Sequence, residues 1–303
     1  MKKFLHLILA VSALFVASHL HAQTTLDLSD TWNVSVGDST YTTVAVTSAT
    51  SGTSASVTFT YTTTTTTAGG LGGIATSLGI GTLGSTVGDS ITLSFTVTTD
   101  YTGGLNRAFS FGFADLSGGN EIVANVSVGT TTGSQVNLSD RPINPSGTTS
   151  EAYLFSGTNG AVVAQSSGAG TFSLSITSSD PIELTLTLVR NSDLSATLSL
   201  TGLDTATGTL YTAKTITLTE AQINALDFDT LFFGIKNSSS YTSGTTSSWT
   251  VSDLSVTEYS AVPEPSVGML GLTTCSAGLL GQLFRRRKFL RRDFMKSSSS
   301  PSV

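Results

Sequence analysis

The chain has 303 residues, with 20 acidic and 14 basic side chains and a formal net charge of −6. The charges are unevenly placed: residues 23–260 hold eighteen acidic residues against five basic ones, a net charge of −13, and seven basic residues follow residue 284. Such an acidic region repels nucleic acid and anionic lipid, so the composition predicts no nucleic-acid partner. Its length is sufficient for one substantial core.

The positions of histidine and cysteine exclude several kinds of chemistry. His6, His19 and His21 all precede residue 23, and the single cysteine is Cys275. Residues 23–260 therefore cannot form a Ser-His-Asp or Cys-His nucleophile, a histidine or thiolate zinc site, or a disulfide. Chemistry in this region is restricted to carboxylates, hydroxyls and aromatic rings.

The N-terminal residues have the pattern of a secretory signal. Lys2 and Lys3 precede an apolar stretch at 4–17, and the small residue Ala22 stands before Gln23. This order of basic, apolar and small residues predicts a signal peptide over residues 1–22, with export by the Sec machinery.

Residues 23–260 are rich in Thr, Ser and Gly, with apolar residues at alternate positions. This period of two is typical of half-buried strands, in which threonine suits the outward face. The clearest early examples are Trp32/Val34/Val36, Val57/Phe59/Tyr61, Ile91/Leu93/Phe95/Val97 and Phe109/Phe111/Phe113.

Two stretches between these strands are predicted to be loops. Residues 62–88 begin with six threonines and continue glycine-rich, and they contain a G-x-G-x-x-G pattern at 79–84. A dinucleotide site would require a helix after that pattern, but the next apolar alternation is another strand, so we predict a glycine-rich connection. Residues 139–151 contain two prolines and are predicted to form a surface loop.

A hairpin is predicted over residues 182–200. One apolar face is Ile182, Leu184, Leu186 and Leu188, the other is Leu194, Ala196, Leu198 and Leu200, and the polar turn is 190–193.

A short helix and a last strand complete this region. Thr219 and Gln222 have the spacing of a capping box ahead of a short apolar stripe. In the strand at 247–256, Trp249 and Val251 are out of phase with Leu254 and Val256, which predicts a bulge near residues 252–253.

About a dozen strands, polar turns and one short helix predict an all-β ectodomain over residues 23–260, an antiparallel β-sandwich of the jelly-roll kind. A short helix before two closing strands, at 219–256, resembles the concanavalin and laminin-G sandwiches. The alternative is a parallel β-helix, although no repeat of 20 to 30 residues occurs.

Carboxylates and aromatic rings are the candidate functional groups of the ectodomain. Two carboxylates would suffice for a polysaccharide hydrolase or lyase, although acids on a sandwich surface also serve solubility. The candidates are Glu121, Glu151, Glu183, Asp227 and Asp229, with Glu183 opposite the apolar face of its strand. We predict no cofactor; calcium stays an alternative, although no Asp-x-Asp-x-Asp-Gly loop occurs. Aromatic candidates for stacking on sugars, or for core packing, are Trp32, Tyr41, Tyr101, Tyr153 and Tyr241.

The C-terminal part has three features in a fixed order. Val262, Pro263, Glu264 and Pro265 come first, and the uncharged apolar run 267–284 follows. Its eighteen residues would span about 27 Å as a helix, enough for a thin bilayer, and prolines before it favour an extended spacer. The cluster Arg285, Arg286, Arg287 and Lys288 comes next and predicts that this end is cytoplasmic. A plain membrane anchor is one explanation.

The same order resembles the C-terminal sorting tail of the PEP-CTERM family. The resemblance covers residues 262–292 and implies recognition of Pro263, Glu264 and Pro265 by an exosortase, a membrane-embedded cysteine protease, with Arg285 to Lys288 as the stop signal. It implies a transient anchor in the inner membrane and then release to the cell surface or medium. The expected organisation is a signal peptide at 1–22, an ectodomain at 23–260, a sorting segment at 261–292 and a cytoplasmic tail at 293–303.

Three functions remain open for the ectodomain. The first is a non-enzymatic envelope or matrix protein delivered by the tail. The second is a carbohydrate-binding sandwich that retains exopolysaccharide, and the third is a two-carboxylate polysaccharide hydrolase or lyase.

Overall fold

A computed structural model describes residues 22–36, 42–64, 71–102, 107–116, 120–128, 136–142, 164–166, 176–177, 180–237 and 244–261. The chain divides into two compact units, Met1–Val262 and Pro263–Val303, and all described residues belong to the first. The predicted signal sequence up to residue 21 and the predicted sorting segment from Val262 onward lie outside the described residues.

The described residues form fifteen strands and one short helix. In the first half of the chain they are β1 Ala22–Thr25, β2 Asn33–Val36, β3 Thr42–Thr50, β4 Ala55–Thr63, β5 Leu71–Gly81, β6 Ser90–Thr99, β7 Arg107–Asp115 and β8 Asn120–Val128. In the second half they are β9 Val136–Pro142, β10 Ala164–Ser166, β11 Ile182–Arg190, β12 Ala196–Asp204, β13 Thr209–Leu218, α1 Glu220–Asn224, β14 Phe228–Asn237 and β15 Thr246–Ser260.

The strands form two antiparallel sheets. Sheet 1 has the order β13-β12-β11-β6-β15-β4-β3, and β1 pairs with the far end of β15. Sheet 2 has the order β10-β9-β8-β7-β14-β5-β2. The predicted all-β antiparallel sandwich is thus confirmed. The alternative of a parallel β-helix is wrong, because these sheets are built from antiparallel neighbours.

The core lies between the two sheets and contains a group of aromatic rings from both. Burial alternates strictly along β4, β6 and β11, as the apolar period of two predicts. Phe95 of sheet 1 meets Phe111 of sheet 2 edge-on, with ring centroids 4.9 Å apart. Phe109 of sheet 2 stacks on Trp249 of sheet 1 at 5.5 Å. Each such pair contributes about 0.5–1.5 kcal/mol beyond burial of its area, so these rings hold the sheets together.

Strand β15 lies inside sheet 1 and carries the predicted bulge. Its pairing shifts between Val251 and Leu254 against β4, and between Ser252 and Ser255 against β6. Asp253 has the left-handed φ of 51°. Because the bulge adds one residue to the strand, the apolar residues on both sides of it point into the core, and all of them are buried.

The predicted hairpin and helix are also confirmed, with one correction. Strands β11 and β12 pair from Ile182 to Asp204, and the capping box of α1 joins Thr219 and Gln222 in both directions. Leu194, however, was predicted to share the buried face of β12. It lies in the turn with φ 64° and is 38% exposed, because a left-handed residue leaves the periodicity of the strand.

The structure corrects both predicted loops, because each contains part of a strand. Residues 139–142 belong to β9, which ends at Pro142, where the missing N–H costs the sheet least. The remainder of the predicted loop at 139–151 lies outside the described residues. The predicted loop at 62–88 is wrong for residues 71–81, which form strand β5 between β14 and β2, because the backbone of a glycine-rich stretch can still make the hydrogen bonds of a sheet. Only residues 82–89, which include the end of the glycine pattern, connect β5 to β6.

Candidate functional site

The outer face of sheet 1 is covered with hydroxyl groups and is accessible to solvent. We call this surface the hydroxyl face and define it by the outward side chains of β4, β6, β11, β12 and β15. Every second residue of these strands points away from the core, and nearly all of those residues are Ser or Thr. They include Thr58, Thr60, Thr92, Ser94, Thr96, Thr98, Thr185, Thr187, Thr197, Ser199, Thr250, Ser252, Ser255 and Thr257.

The register of the strands aligns these hydroxyls in rows across the sheet. The longest row runs through Ser199, Thr187, Thr92 and Thr257 of this face. It extends at its ends to Thr215 of β13 and Thr25 of β1, so it crosses six strands. Neighbouring strands are about 4.8 Å apart, so hydroxyls recur along a row at about that distance. The sequence alone shows the alternation of threonine, but the row depends on which strands become neighbours.

Neighbouring hydroxyls on this face also bond to one another. The Oγ1 atoms of Thr58 and Thr250 are 3.0 Å apart, and Ser94 Oγ lies 3.3 Å from Thr185 Oγ1. A hydroxyl donates one hydrogen bond and accepts two, so each partner keeps capacity for water or for a ligand. The face is therefore a partly ordered layer of donors and acceptors.

The hydroxyl face carries little charge. Among the described residues that point outward from its five strands, the charged ones are Glu183 and the bulge residue Asp253. Glu183 is exposed between two buried neighbours, as the alternation predicted. A ligand matched to this face would be neutral and rich in hydroxyl groups.

Three other candidate carboxylates, those of Glu121, Asp227 and Asp229, lie in the described part of the chain. Asp229 Oδ1 accepts hydrogen bonds from Leu116 N at 3.1 Å and from the hydroxyl of Thr230 at 2.8 Å. The exposed Asp227 has its own N–H bound to the carboxylate of Asp115 at 3.1 Å. Glu121 is only 1% exposed. The Asp229 carboxylate thus connects β14 to the end of β7. Glu151 lies outside the described residues.

The aromatic candidates that the structure describes belong to the interior. Trp32 and Tyr101 are each 8% exposed, and the Trp32 ring lies 5.8 Å from that of Phe233. They are therefore not platforms for stacking on sugars, and core packing explains them. Tyr41, Tyr153 and Tyr241 lie outside the described residues.

The described part of the chain holds neither a cluster of metal ligands nor a membrane-spanning helix. There, no group of three or more metal-binding side chains stands together. No helix among them is long and apolar enough to cross a membrane. The predicted span at 267–284 and the predicted sorting residues Val262 to Pro265 and Arg285 to Lys288 are not among them.

Comparisons with known proteins define no family for the chain. No family model matches it, and no curated protein is similar to it in sequence. The PEP-CTERM assignment therefore stays a prediction.

Similar folds occur among solved structures, at low identity. Arcelin-5, a lectin-like defense protein from Phaseolus vulgaris, is 10% identical over 79% of this chain and 99% of its own, with a TM-score of 0.40. The PL-14 alginate lyase from Aplysia kurodai is 12% identical over 77% of this chain and 98% of its own, with a TM-score of 0.42. The CBM2 module of the evolved Dit of Lactobacillus casei BL23 phage J-1 is 11% identical over 80% of this chain and 98% of its own, with a TM-score of 0.41. At this level of similarity the matches assign neither ligand nor activity.

Proposed function

We propose that the chain is an exported, non-enzymatic β-sandwich that binds a neutral extracellular polysaccharide through its hydroxyl face. The observation that carries the proposal is the row of six Ser and Thr residues in register across sheet 1, on a face with little charge. Sugar hydroxyls both donate and accept hydrogen bonds, as these side chains do. A long polymer can meet many of them at once.

The expected affinity per sugar is low and the expected affinity for polymer is high. A hydrogen bond that replaces bonds to water contributes only about 0.5–1.5 kcal/mol, so one or two contacts would bind weakly. A polymer that spans several strands makes successive contacts at high effective concentration, and its overall affinity rises accordingly. The expected ligand is a linear polysaccharide rather than a monosaccharide.

A hydrolase or lyase is less well supported. Asp115 and Asp229 are occupied by backbone N–H groups of neighbouring segments. A carboxylate that fixes a loop in this way is poorly placed to exchange protons with a substrate, which is what general acid–base catalysis requires.

We propose in addition that the tail delivers this domain to the cell surface or medium. The signal sequence would direct export through the Sec machinery, and an exosortase-type protease would recognise Val262 to Pro265. In support, the last strand, β15, ends at Ser260, two residues before that motif. Arg285 to Lys288 would remain cytoplasmic.

Binding and catalysis are separated by one experiment on the purified protein. We expect retention on immobilised neutral polysaccharides, with little retention on their monosaccharides, and no release of reducing or unsaturated ends. Production of new chain ends would contradict the non-enzymatic proposal. Equal binding to monosaccharide and polymer would contradict binding by multiple contacts.

Delivery is tested in cells that contain an exosortase. Replacing Pro263 and Pro265 by Ala leaves the apolar run intact, so we expect normal membrane insertion but loss of the released form. Intact mass measurement should place the C-terminus of the released wild-type protein near Pro263. A wild-type protein that keeps its tail through Val303 would reduce the segment to a plain anchor.

A further inference from the structure

Asp89 connects Ala261, the residue that directly follows β15, to the turn before β6. The side chain is 5% exposed, and both of its carboxylate oxygens are bound. Oδ1 accepts the N–H of Ala261 at 2.7 Å, and Oδ2 accepts the N–H of Thr86 at 2.7 Å. Hydrogen bonds to a charged acceptor are among the stronger ones in proteins. Asp89 therefore holds the chain where it leaves the domain.

The connection that carries Asp89 is itself held by the buried Arg190. The backbone N–H of Arg190 donates to Asp89 O at 2.8 Å, and the N–H of Gly88 donates to Arg190 O at 2.9 Å. The guanidinium donates to three carbonyl oxygens and one amide oxygen, those of Leu83, Gly84, Leu194 and Asn224. The turn and the end of β11 thus form one hydrogen-bonded unit.

Glycine at position 84 permits this arrangement. A Cβ atom there would overlap Asp89 Oδ2, so a larger residue would displace the carboxylate. Gly88 has a φ of 91°, which favours glycine, and a Cβ there would lie 3.4 Å from that of Ala261. The carboxylate is therefore seated closely between the turn and the end of β15.

The bond from Ala261 N–H to the Asp89 carboxylate, which we call the clamp, lies directly beyond the last pair of the sheet. Ser260 pairs with Ala22 of β1, and Tyr259 pairs with Ser90 of β6, so the ladder stops one residue before Ala261. A strand end is where a sheet frays most readily. The bond from Ala261 to Asp89 adds one more fixed residue at this point.

We infer that Asp89 is a positioning residue for the proposed release step: by holding Ala261 it confines cleavage to the chain downstream. The inference rests on that proposed step and deepens it. A protease binds its substrate as an extended segment with free backbone hydrogen-bonding groups, so residues held in β15 are poor substrates. The released domain would then keep its central strand β15 complete.

The clamp is tested on the full-length protein in detergent with a protease of broad specificity, such as proteinase K. We expect the resistant wild-type fragment to end at Ala261 or beyond. In Asp89→Ala it should end upstream, within residues 257–260. Hydrogen exchange at the Ala261 amide should be about ten- to a hundredfold faster in the variant. An identical fragment end and exchange rate in both proteins would overturn the inference.

Two further variants separate the clamp from general stability. Val126→Ala leaves a cavity in sheet 2, away from Asp89, and lowers the melting temperature, but it should leave the fragment end at Ala261. Asp89→Asn keeps one acceptor oxygen and should give an intermediate exchange rate. A shift of the fragment end in Val126→Ala would show that the end reports only stability, and would contradict the inference.

The role in release is then measured in cells with an exosortase. We expect a single C-terminus for the released wild-type protein and a spread of upstream C-termini for Asp89→Ala. The same single C-terminus in both would contradict a role for Asp89 in release. If the wild type is not released at all, the proposed sorting fails, while the fragment ends measured with the purified protein still decide whether Asp89 clamps the chain.

Discussion

Glu258, a partly buried side chain near the end of β15, makes the stability of the folded protein depend on pH. It pairs with the buried Ile91 of β6, and desolvation raises the pKa of its carboxyl above the ordinary value. The folded protein therefore binds more protons than the unfolded chain between the two pKa values. The contribution of Glu258 to the free energy of unfolding is largest below the pKa that it has in the unfolded chain. That contribution is lost as the pH rises through the pKa that Glu258 has in the folded protein.

We predict that Glu258→Gln raises the melting temperature at pH 7 to 8 and that the gain disappears below about pH 4. The matched control is Glu183→Gln, which makes the same substitution at an exposed position of another strand. Melting curves measured by circular dichroism across this range decide. An equal gain at every pH would mean that the effect does not come from ionisation of Glu258.

At the scale of single elements, the bulge of β15 is where the backbone conformation restricts the choice of residue most clearly. Asp253 has φ 51°, a region that aspartate tolerates and that a β-branched residue avoids. We predict that Asp253→Val lowers the free energy of unfolding by about 1–2 kcal/mol. Ser255→Val places the same side chain in the strand just beyond the bulge and should be nearly neutral. Denaturant titration measures both; equal effects would show that the backbone at Asp253 is unstrained.

The elements differ in how far the sequence could predict them. The bulge near residues 252–253, the capping box and the faces of β11 and β12 follow from local patterns, because apolar phase and capping chemistry are set by neighbours in the chain. The strand at Val136–Pro142 was not predicted, because its polar residues and Pro142 are typical of a loop. Strand β1 was not predicted, because its partner β15 lies far along the chain.

The hydroxyl face and the clamp also differ in how far the sequence predicts them. Alternating threonine predicts that each strand has an outward hydroxyl edge, and this much was available from the sequence. The continuous row depends on β1, β6, β11, β12, β13 and β15 becoming neighbours in one register. The clamp could not be predicted at all, because Asp89 and Ala261 are 172 positions apart and nothing in their local sequence connects them.

On the scale of the whole molecule, the last strand of the domain is central to sheet 1. Strand β15 pairs with β6 along one edge and with β4 and β1 along the other. It also supplies Trp249, which stacks on Phe109 of the opposite sheet. The domain therefore cannot complete its core until residue 260 is available.

We predict that a chain from Gln23 to Ala261 unfolds cooperatively and that a chain ending at residue 245 does not. The shorter chain leaves β6 and β4 without their common neighbour and exposes the apolar residues that β15 covers. Near-ultraviolet circular dichroism during heating distinguishes the two. A cooperative transition in the shorter chain would show that sheet 1 closes without β15.

The central claim is that the hydroxyl face binds neutral polysaccharide. Its most direct test is affinity electrophoresis through the exopolysaccharide of the producing cell. The test variant combines Thr58→Val, Thr92→Val, Thr187→Val and Thr250→Val, which remove hydroxyls and keep side-chain shape. The control combines Thr31→Val and Thr82→Val, at exposed positions off that face. We predict that the wild type and the control are retarded equally and that the test variant loses at least about tenfold in affinity. Equal retardation of all three proteins, or of none, would contradict the claim.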